Sequence, residues 1–373
     1  MFLLVNFMFE KVDKVLLITI AILLVSGLII FGSAALGVLS VNEMKFYSVI
    51  KMQLIYALVG GGIALYVGTI IPFTWYKKYA YILFSLALLG TMLVFVPMLS
   101  RYHGGAHRWI RIGTFSLQPS EMLKFTFVLV VAVWCSQYRN VFKDWRYGLL
   151  PYMLAAGAVS LILLAQPDFG TYLIIMSASF ITYFVGGARK KHIQILIVTG
   201  LLGVALLIMM RPYMLERVKT FLNNTHDPHG SSWQLNQSLI ALGNGGLTGR
   251  GLGQSVQKFN YLPEPIGDSI FAVFGEEVGF LGALYIILLY GIVGGRGYYI
   301  FRNTPDPFGK LLAIGIVSII IMQATLNIGS MLGLLPLTGV PLPLISHGGT
   351  ALMVTLFELG VLLNISKSIS TYS

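Results

Sequence analysis

The run from Val15 to Leu36 holds 22 residues and no charged side chain. About 20 helical residues cross the hydrocarbon core of a bilayer, so a run of this length reads as a membrane span. It is too long for the apolar core of a signal peptide, and no small-residue cleavage site leading into a soluble domain follows it. Comparable runs recur, and the sequence predicts ten spans at about 15–36, 49–71, 79–99, 119–137, 148–165, 168–186, 192–210, 268–293, 308–332 and 348–366. Only 10% of the chain is charged, against about 25% in a soluble domain. The expected class is therefore an all-α polytopic membrane protein of about ten transmembrane helices. Residues 1–373 form one integral-membrane domain, without an internal repeat or a separate soluble unit.

The net charge of +11 would suit a nucleic-acid partner if it were clustered. The basic residues are instead scattered through short connections, which is a topology signal and argues against nucleic acid. With the N-terminus inside, the inner connections and termini carry 14 lysines and arginines, the short outer connections and adjoining helix ends six, and the long segment 211–267 five. That bias puts both termini in the cytoplasm. The single cysteine, Cys135, lies in an apolar run and reads as a small buried hydrophobe.

Two outer segments are unusual. Residues 211–267 form a long extracytoplasmic loop between the seventh and eighth spans. It contains Trp233-Gln234-Leu235-Asn236-Gln237-Ser238 and the glycine-rich run Gly243 to Gly251. That run has neither a dinucleotide fingerprint nor the lysine of a phosphate-binding loop, so it reads as a flexible or tightly turning loop. In residues 333–349, Pro336, Pro341 and Pro343 forbid regular helix. Apolar non-helical backbone at membrane depth has to be buried in protein or line a cavity, and a re-entrant hairpin is expected there.

Ionisable groups within spans are costly and mark functional candidates. Glu121, Asp168 and Asp268 each stand near the start of an even-numbered span, hence all at the outer face. Lys124 follows Glu121 by three residues and shares its helix face, as Asn327 shares one with Gln323. Carboxylates at helix starts also cap free N–H groups and complement the helix dipole, so for Asp168 and Asp268 both readings stand. Glu121 with Lys124 can equally be an ion pair that holds helices together. Glu276 and Glu277 fall roughly 12–13 Å below Asp268 along a helix, deep enough to need a cavity or a basic partner. His226-Asp227-Pro228-His229 is a poor zinc site, because the proline breaks helical spacing and no further ligands accompany the pair.

Motifs along most of the chain carry a resemblance. They run Gly105-Ala106-His107-Arg108-Trp109-Ile110, Gln118-Pro119-Ser120-Glu121-Met122-Leu123-Lys124, and Gln166-Pro167-Asp168-Phe169-Gly170-Thr171. Then come Trp233-Gln234, Gln237 to Ala241, Gly245-Gly246-Leu247, Gln257-Lys258, Tyr261 to Glu264 and Asp268 with Phe271-Ala272-Val273. Gly275 to Phe280, Pro336, Thr338-Gly339, Leu342-Pro343 and Ser346-His347-Gly348-Gly349 complete the series. In this order the chain resembles the SEDS proteins, the FtsW/RodA/SpoVE group of peptidoglycan glycosyltransferases, and most resembles the FtsW branch. Three positions depart from the common pattern: Gly267-Asp268-Ser269 stands where Thr-Asp-Phe is frequent, and His347 and Trp233 each replace a usual tyrosine.

The resemblance implies polymerisation of lipid II, an undecaprenyl-pyrophosphate-linked disaccharide peptide, outside the bacterial cytoplasmic membrane during division or elongation. It implies Asp268 as the catalytic aspartate, with Trp109, Glu121, Lys124 and Asp168 about its cavity and Arg108, Gln237 and Ser346 as further substrate contacts. It also implies a class B penicillin-binding protein as transpeptidase partner, other divisome or elongasome membrane proteins, and a divalent cation (Mg or Mn) as cofactor, although the residues themselves offer no metal-ligand set. Two other functions use the same residues: a flippase that moves lipid II across the membrane, and a non-catalytic scaffold of the division machinery.

Overall fold

The structure, a computed structural model, describes residues 12–103, 106–112, 115–138, 144–222 and 231–370. The run His226 to His229 and the inner basic residues Lys11, Arg139 and Lys143 lie outside them. Among the described residues, eight helices are long and apolar enough to cross a membrane: α1 (Lys14–Leu39), α2 (Glu43–Ile70), α3 (Phe73–Phe95), α4 (Pro119–Gln137), α7 (Lys190–Met210), α10 (Ile270–Asn303), α11 (Pro307–Met331) and α12 (Gly349–Ile369). Two shorter apolar helices, α5 (Leu149–Ala165) and α6 (Phe169–Val185), bring the count to the ten predicted from sequence.

Local chemistry sets the helix starts. Asp13, Asn42, Asp168 and Asp306 each accept a hydrogen bond from the backbone N–H three residues on, which satisfies one of the orphan donors at a helix N-terminus. Pro119 and Pro307 occupy first-turn positions, where the missing N–H costs nothing. The third span starts at Phe73, six residues before the run predicted at 79–99, because the chain enters the helix directly behind Pro72 despite Lys77 and Lys78.

Almost every residue of α4 is buried, as are most of α11 and α12, so these three make the centre of the bundle. At the rim, α7 buries only His192 among its side chains. Between α3 and α4, an antiparallel sheet β1 (Ser100–His103), β2 (Ala106–Ile112) and β3 (Phe115–Leu117) pairs Ser100 with Ile110 and Ile110 with Leu117.

The segment expected to be a long loop is largely ordered. It contains α8 (Pro212–Leu222) and α9 (Ser231–Gly245), so Gly243 to Gly245 of the glycine run are helical. The rest of that run is pinned. α10 breaks at Gly279 (φ 72°, ψ −164°), and the neighbouring loop supplies the missing partners: Arg250 N–H to Glu276 C=O at 3.1 Å, Gly251 N–H to Glu277 C=O at 2.9 Å, Phe280 N–H to Gly246 C=O at 2.9 Å and Leu281 N–H to Leu247 C=O at 3.2 Å. Of the two readings of that run, flexible or tightly turning, the second is the one observed, with Gly246, Gly249 and Gly251 all at positive φ. The glycines let two backbones meet: a Cβ on Gly249 would lie 2.1 Å from the Glu277 carbonyl oxygen.

The two deep carboxylates have partners. Glu277 forms a buried ion pair with Lys258 at 2.7 Å and accepts from Ser33 Oγ at 2.5 Å. Glu276 accepts from Ser255 Oγ, the backbone N–H groups of Val256 and Gln257, and Arg250. Both therefore fasten the loop to the bundle. Residues 333–348 contain no helix, and Leu337, Val340, Leu342, Leu344 and Ile345 of this segment are buried.

Candidate active site

Asp268 ends the long outer segment one residue before Ser269, the N-cap of α10. Its Oδ1 accepts from Gln234 Nε2 at 3.2 Å, and the same amide lies 3.0 Å from Ser269 Oγ. Its backbone carbonyl accepts from Asn327 Nδ2 at 2.8 Å, a donor shared with the Val340 carbonyl at 2.8 Å. The other carboxylate oxygen, Oδ2, lies beside Gly339: a Cβ there would be in van der Waals contact with both Oδ2 (3.8 Å) and Arg217 Nη2 (3.9 Å). Burial pushes the Asp268 carboxyl up to about 6, with the Gln234 hydrogen bond opposing, Glu264 adding to the rise and Arg217 again opposing.

Arg217, on α8, also donates to the Leu337 carbonyl. It borders a shallow, mostly apolar surface crease with Thr220, Phe221, Leu235, Leu335 and Leu337. One guanidinium at the lip of an apolar crease, next to a carboxylate, suits an anionic headgroup carried on an apolar chain. Sequence reasoning did not single out Arg217, since a lone loop cation has no periodic signal.

Lys124 is buried (2% exposed), 2.8 Å from Glu121 Oε2 and donating to Gln323 Oε1 at 2.7 Å. Gln323 Nε2 donates onward to the Pro341 carbonyl at 2.9 Å. Gln323 and Asn327, one turn apart on α11, thus grip Pro341 and Val340 in succession, and Asn327 reaches Asp268. A continuous polar line joins Lys124 to Asp268 through one helix face and the proline-rich segment.

Asp168 caps α6 through Thr171 N–H at 3.4 Å, while its Oδ2 lies 3.5 Å from both Gln118 Nε2 and Ser120 Oγ. Arg108 donates to the Pro167 carbonyl and, at 3.5 Å, to that of Gln166, so it sits on the turn leading into Asp168. Trp109 stands half-buried on β2. Gln237 is buried one turn along α9 from Gln234, and it is Gln234 that bonds Asp268. Ser346 Oγ accepts the Leu342 N–H at 2.8 Å and so staples the proline-rich turn. The structure therefore groups Glu121 with Lys124, and Arg108 with Asp168, near the starts of the neighbouring helices α4 and α6.

No three His, Cys, Asp or Glu among the described side chains converge on a common point, so they build no all-protein cage for a divalent cation; Mg is commonly held by only one or two carboxylates together with substrate phosphates. Near Asp268 the second carboxylate is Glu264 and the remaining neighbours are the donors Gln234 and Arg217.

Ten apolar helices, with a carboxylate at the mouth of one and a buried lysine in the mouth of another, define a polytopic membrane protein whose polar site opens at one end of the bundle. Comparison with known proteins gives the particular kind. The family model for FtsW, RodA and SpoVE, described as cell cycle proteins, matches residues 14–371, and the chain belongs to that family. It is 37% identical to stage V sporulation protein E of Bacillus subtilis (strain 168) over 355 residues, 95% of this chain and 97% of that one. It is 36% identical to the probable peptidoglycan glycosyltransferase FtsW of Geobacter metallireducens, covering 96% of this chain and 95% of that one. Among solved structures, it resembles a chain of a peptidoglycan synthase complex that coordinates polymerization and crosslinking (TM-score 0.76, 26% identity, 95% and 97% coverage). It also resembles the rod shape determining protein RodA of Thermus thermophilus (TM-score 0.70, 25% identity, 96% and 97% coverage).

Proposed function

We propose that this protein is a peptidoglycan glycosyltransferase that polymerises lipid II into glycan strands at the outer face of the bacterial cytoplasmic membrane, with both termini inside. The observation that carries this reading is the placement of Asp268. It is a carboxylate held on one oxygen by Gln234, with the other beside Gly339, the glycine that Arg217 also approaches.

The chemistry follows from that geometry. A sugar 4-hydroxyl attacks the anomeric carbon of a second, lipid-linked sugar. The new O4–C1 bond forms as the bond from C1 to the pyrophosphate oxygen breaks. Asp268 Oδ2 accepts the hydroxyl proton as general base; a carboxyl titrating near 6 is mostly ionised at neutral pH yet more basic than an ordinary aspartate, the balance that general-base catalysis favours. Arg217 and Lys124, with Arg108 on the adjoining turn, neutralise the departing pyrophosphate. Glu121 and Gln323 orient Lys124. The apolar crease beside Arg217 is the surface along which the first units of the lipid chain would lie. A class B penicillin-binding protein is the proposed partner, a reading supported by the similarity to a chain of a peptidoglycan synthase complex.

Polymerisation of lipid II by the purified protein tests this. Asp268→Asn keeps the side chain's shape and removes the base, so product formation should fall at least about 100-fold, within the range that general-base catalysis contributes. Near-normal polymerisation by that variant with its partner present would defeat the assignment. Movement of lipid II across proteoliposomes without glycan formation would replace it with the flippase.

A further inference from the structure

The site accounts for Glu121 and Lys124 but leaves a third ionisable group unexplained. Glu358, in the middle of α12, is 1% exposed, and its Oε1 has no hydrogen-bond partner. It interacts electrostatically with Lys124 and, in the opposite sense, with Glu121. Both α4 and α12 start at the outer end of the bundle. Glu358 lies nine residues into α12 and Lys124 five residues into α4, so at 1.5 Å per residue the carboxyl stands about 6 Å deeper than the root of the lysine. Glu121 lies above Lys124 by the same measure. One ammonium is therefore flanked by two carboxyl groups, one on its outer side and one on its inner side.

Charge counting in such a place is restrictive. All three side chains are at most 3% exposed. Two carboxylates and one ammonium would leave a net negative charge within the bundle, and an uncompensated buried charge is too costly to persist. A proton on one carboxyl restores neutrality, as in other carboxyl pairs that share a site. Neither Glu121 Oε2 nor Glu358 Oε1 has a hydrogen-bond partner, but Glu121 Oε2 lies 2.8 Å from the Lys124 ammonium, so the carboxyl without an ion-pair contact, Glu358, is where the proton goes. Two neutral polar groups border the cluster: Gln323 on α11, which holds Lys124, and the Tyr76 hydroxyl on α3, whose ring packs edge-on to Phe357; the charged groups at the other end of α12, Lys367 and the Asp13–Arg296 pair beside Ser366, lie about two turns further along the helix.

We propose that Glu358 is a further positioning residue of the Lys124 site, a carboxyl group that holds the cluster's one proton while Glu121 holds the ammonium. Glu358 is then a reserve partner: when Glu121 is lost, it releases its proton to solvent and takes over Lys124. The reserve role rests on the reading that Lys124 serves polymerisation; the proton does not.

Two measurements separate these parts. The first is the infrared carbonyl band of un-ionised carboxylic acid in the purified full-length protein, at about pH 8, where Asp268 is ionised. The band should be present in the wild type and lost in Glu358→Gln. It should also be lost in Glu121→Gln, where Glu358 ionises to pair with Lys124, and it should roughly double in Lys124→Met, where no cation remains. A band that survives Glu358→Gln, or that Glu121→Gln leaves intact, overturns the proposal. The second is lipid II polymerisation across the double-mutant cycle. If Glu358 is the reserve partner, the Glu121→Gln, Glu358→Gln double variant should fall about tenfold below the product of the two single effects, the size of coupling expected for groups in contact. Simple multiplication of the single effects overturns the reserve role. A wild-type protein that makes no glycan refutes the polymerase reading while leaving the infrared result to stand or fall alone.

Discussion

Asn327 donates one amide N–H to the backbone carbonyl of Asp268 and the other N–H to that of Val340, each at 2.8 Å. A single side chain on α11 thereby fixes the candidate base relative to the proline-rich segment that carries Gly339, the glycine between Asp268 and Arg217. Asn327→Leu removes both bonds within a buried site. It should lower kcat for lipid II polymerisation by about 10²-fold, the effect of misplacing a reacting group by an ångström, with a smaller change in KM. An unchanged kcat would show that Asn327 serves folding alone.

Gln234 donates to the ionised form of Asp268 and so favours it. Without that bond the carboxyl moves above about 6. The acid limb of the polymerisation rate should accordingly shift to higher pH in Gln234→Leu, with the greatest loss below neutrality. A shift toward lower pH would contradict the assigned geometry.

The same carboxyl sets a linkage between pH and stability. Asp268 titrates at about 6 in the folded protein against 3.8 ordinarily. The folded state therefore binds this proton more tightly than the unfolded state, and stability falls as pH rises from about 4 through 6. Asp268→Asn removes that penalty and should raise Tm at neutral pH by a few degrees (~2–4 °C) while abolishing polymerisation. A lower Tm would mean that the carboxylate contributes to the fold.

Lys258 and Glu277 form a pair with neither partner more than 1% exposed. Lys258→Met leaves a buried carboxylate without its cation and should destabilise by about 3–5 kcal/mol. Adding Glu277→Leu should recover most of the loss, because a well-packed apolar pair avoids the desolvation of both charges. Thermal unfolding in detergent measures both steps, and a double variant as unstable as the single one would overturn the argument.

Gly279 sits at φ 72°, and a Cβ there would lie 2.4 Å from the Gly249 nitrogen. Gly279→Ala should unseat residues 246–251 and sharply reduce folded yield, and protease cleavage within that loop would reveal it.

Much of this was legible in advance. Helix count followed from apolar run length, and the placing of Glu121, Asp168 and Asp268 at helix starts followed from where each apolar run begins. The shared face of Gln323 and Asn327 followed from their spacing, and the structure shows what they grip. The sheet at 100–117 was not legible, because strands of three to seven residues carry too few alternations to stand out. Gln234 and Gln237 lie on one face of α9, and only the docking of that helix decides which of them meets Asp268. Glu358 was legible and overlooked: a lone carboxylate inside an apolar span is itself a signal.

The break at Gly279 has a consequence for biogenesis. Membrane-depth backbone has no solvent to turn to, and α10 draws its missing partners from residues 246–251, which precede it in the chain. During synthesis residues 246–251 leave the ribosome first, so the span that follows has its partners already made when it inserts. A circular permutant that delivered these residues after the span would have to insert a helix with open backbone groups, and should be retained by the insertion machinery or degraded.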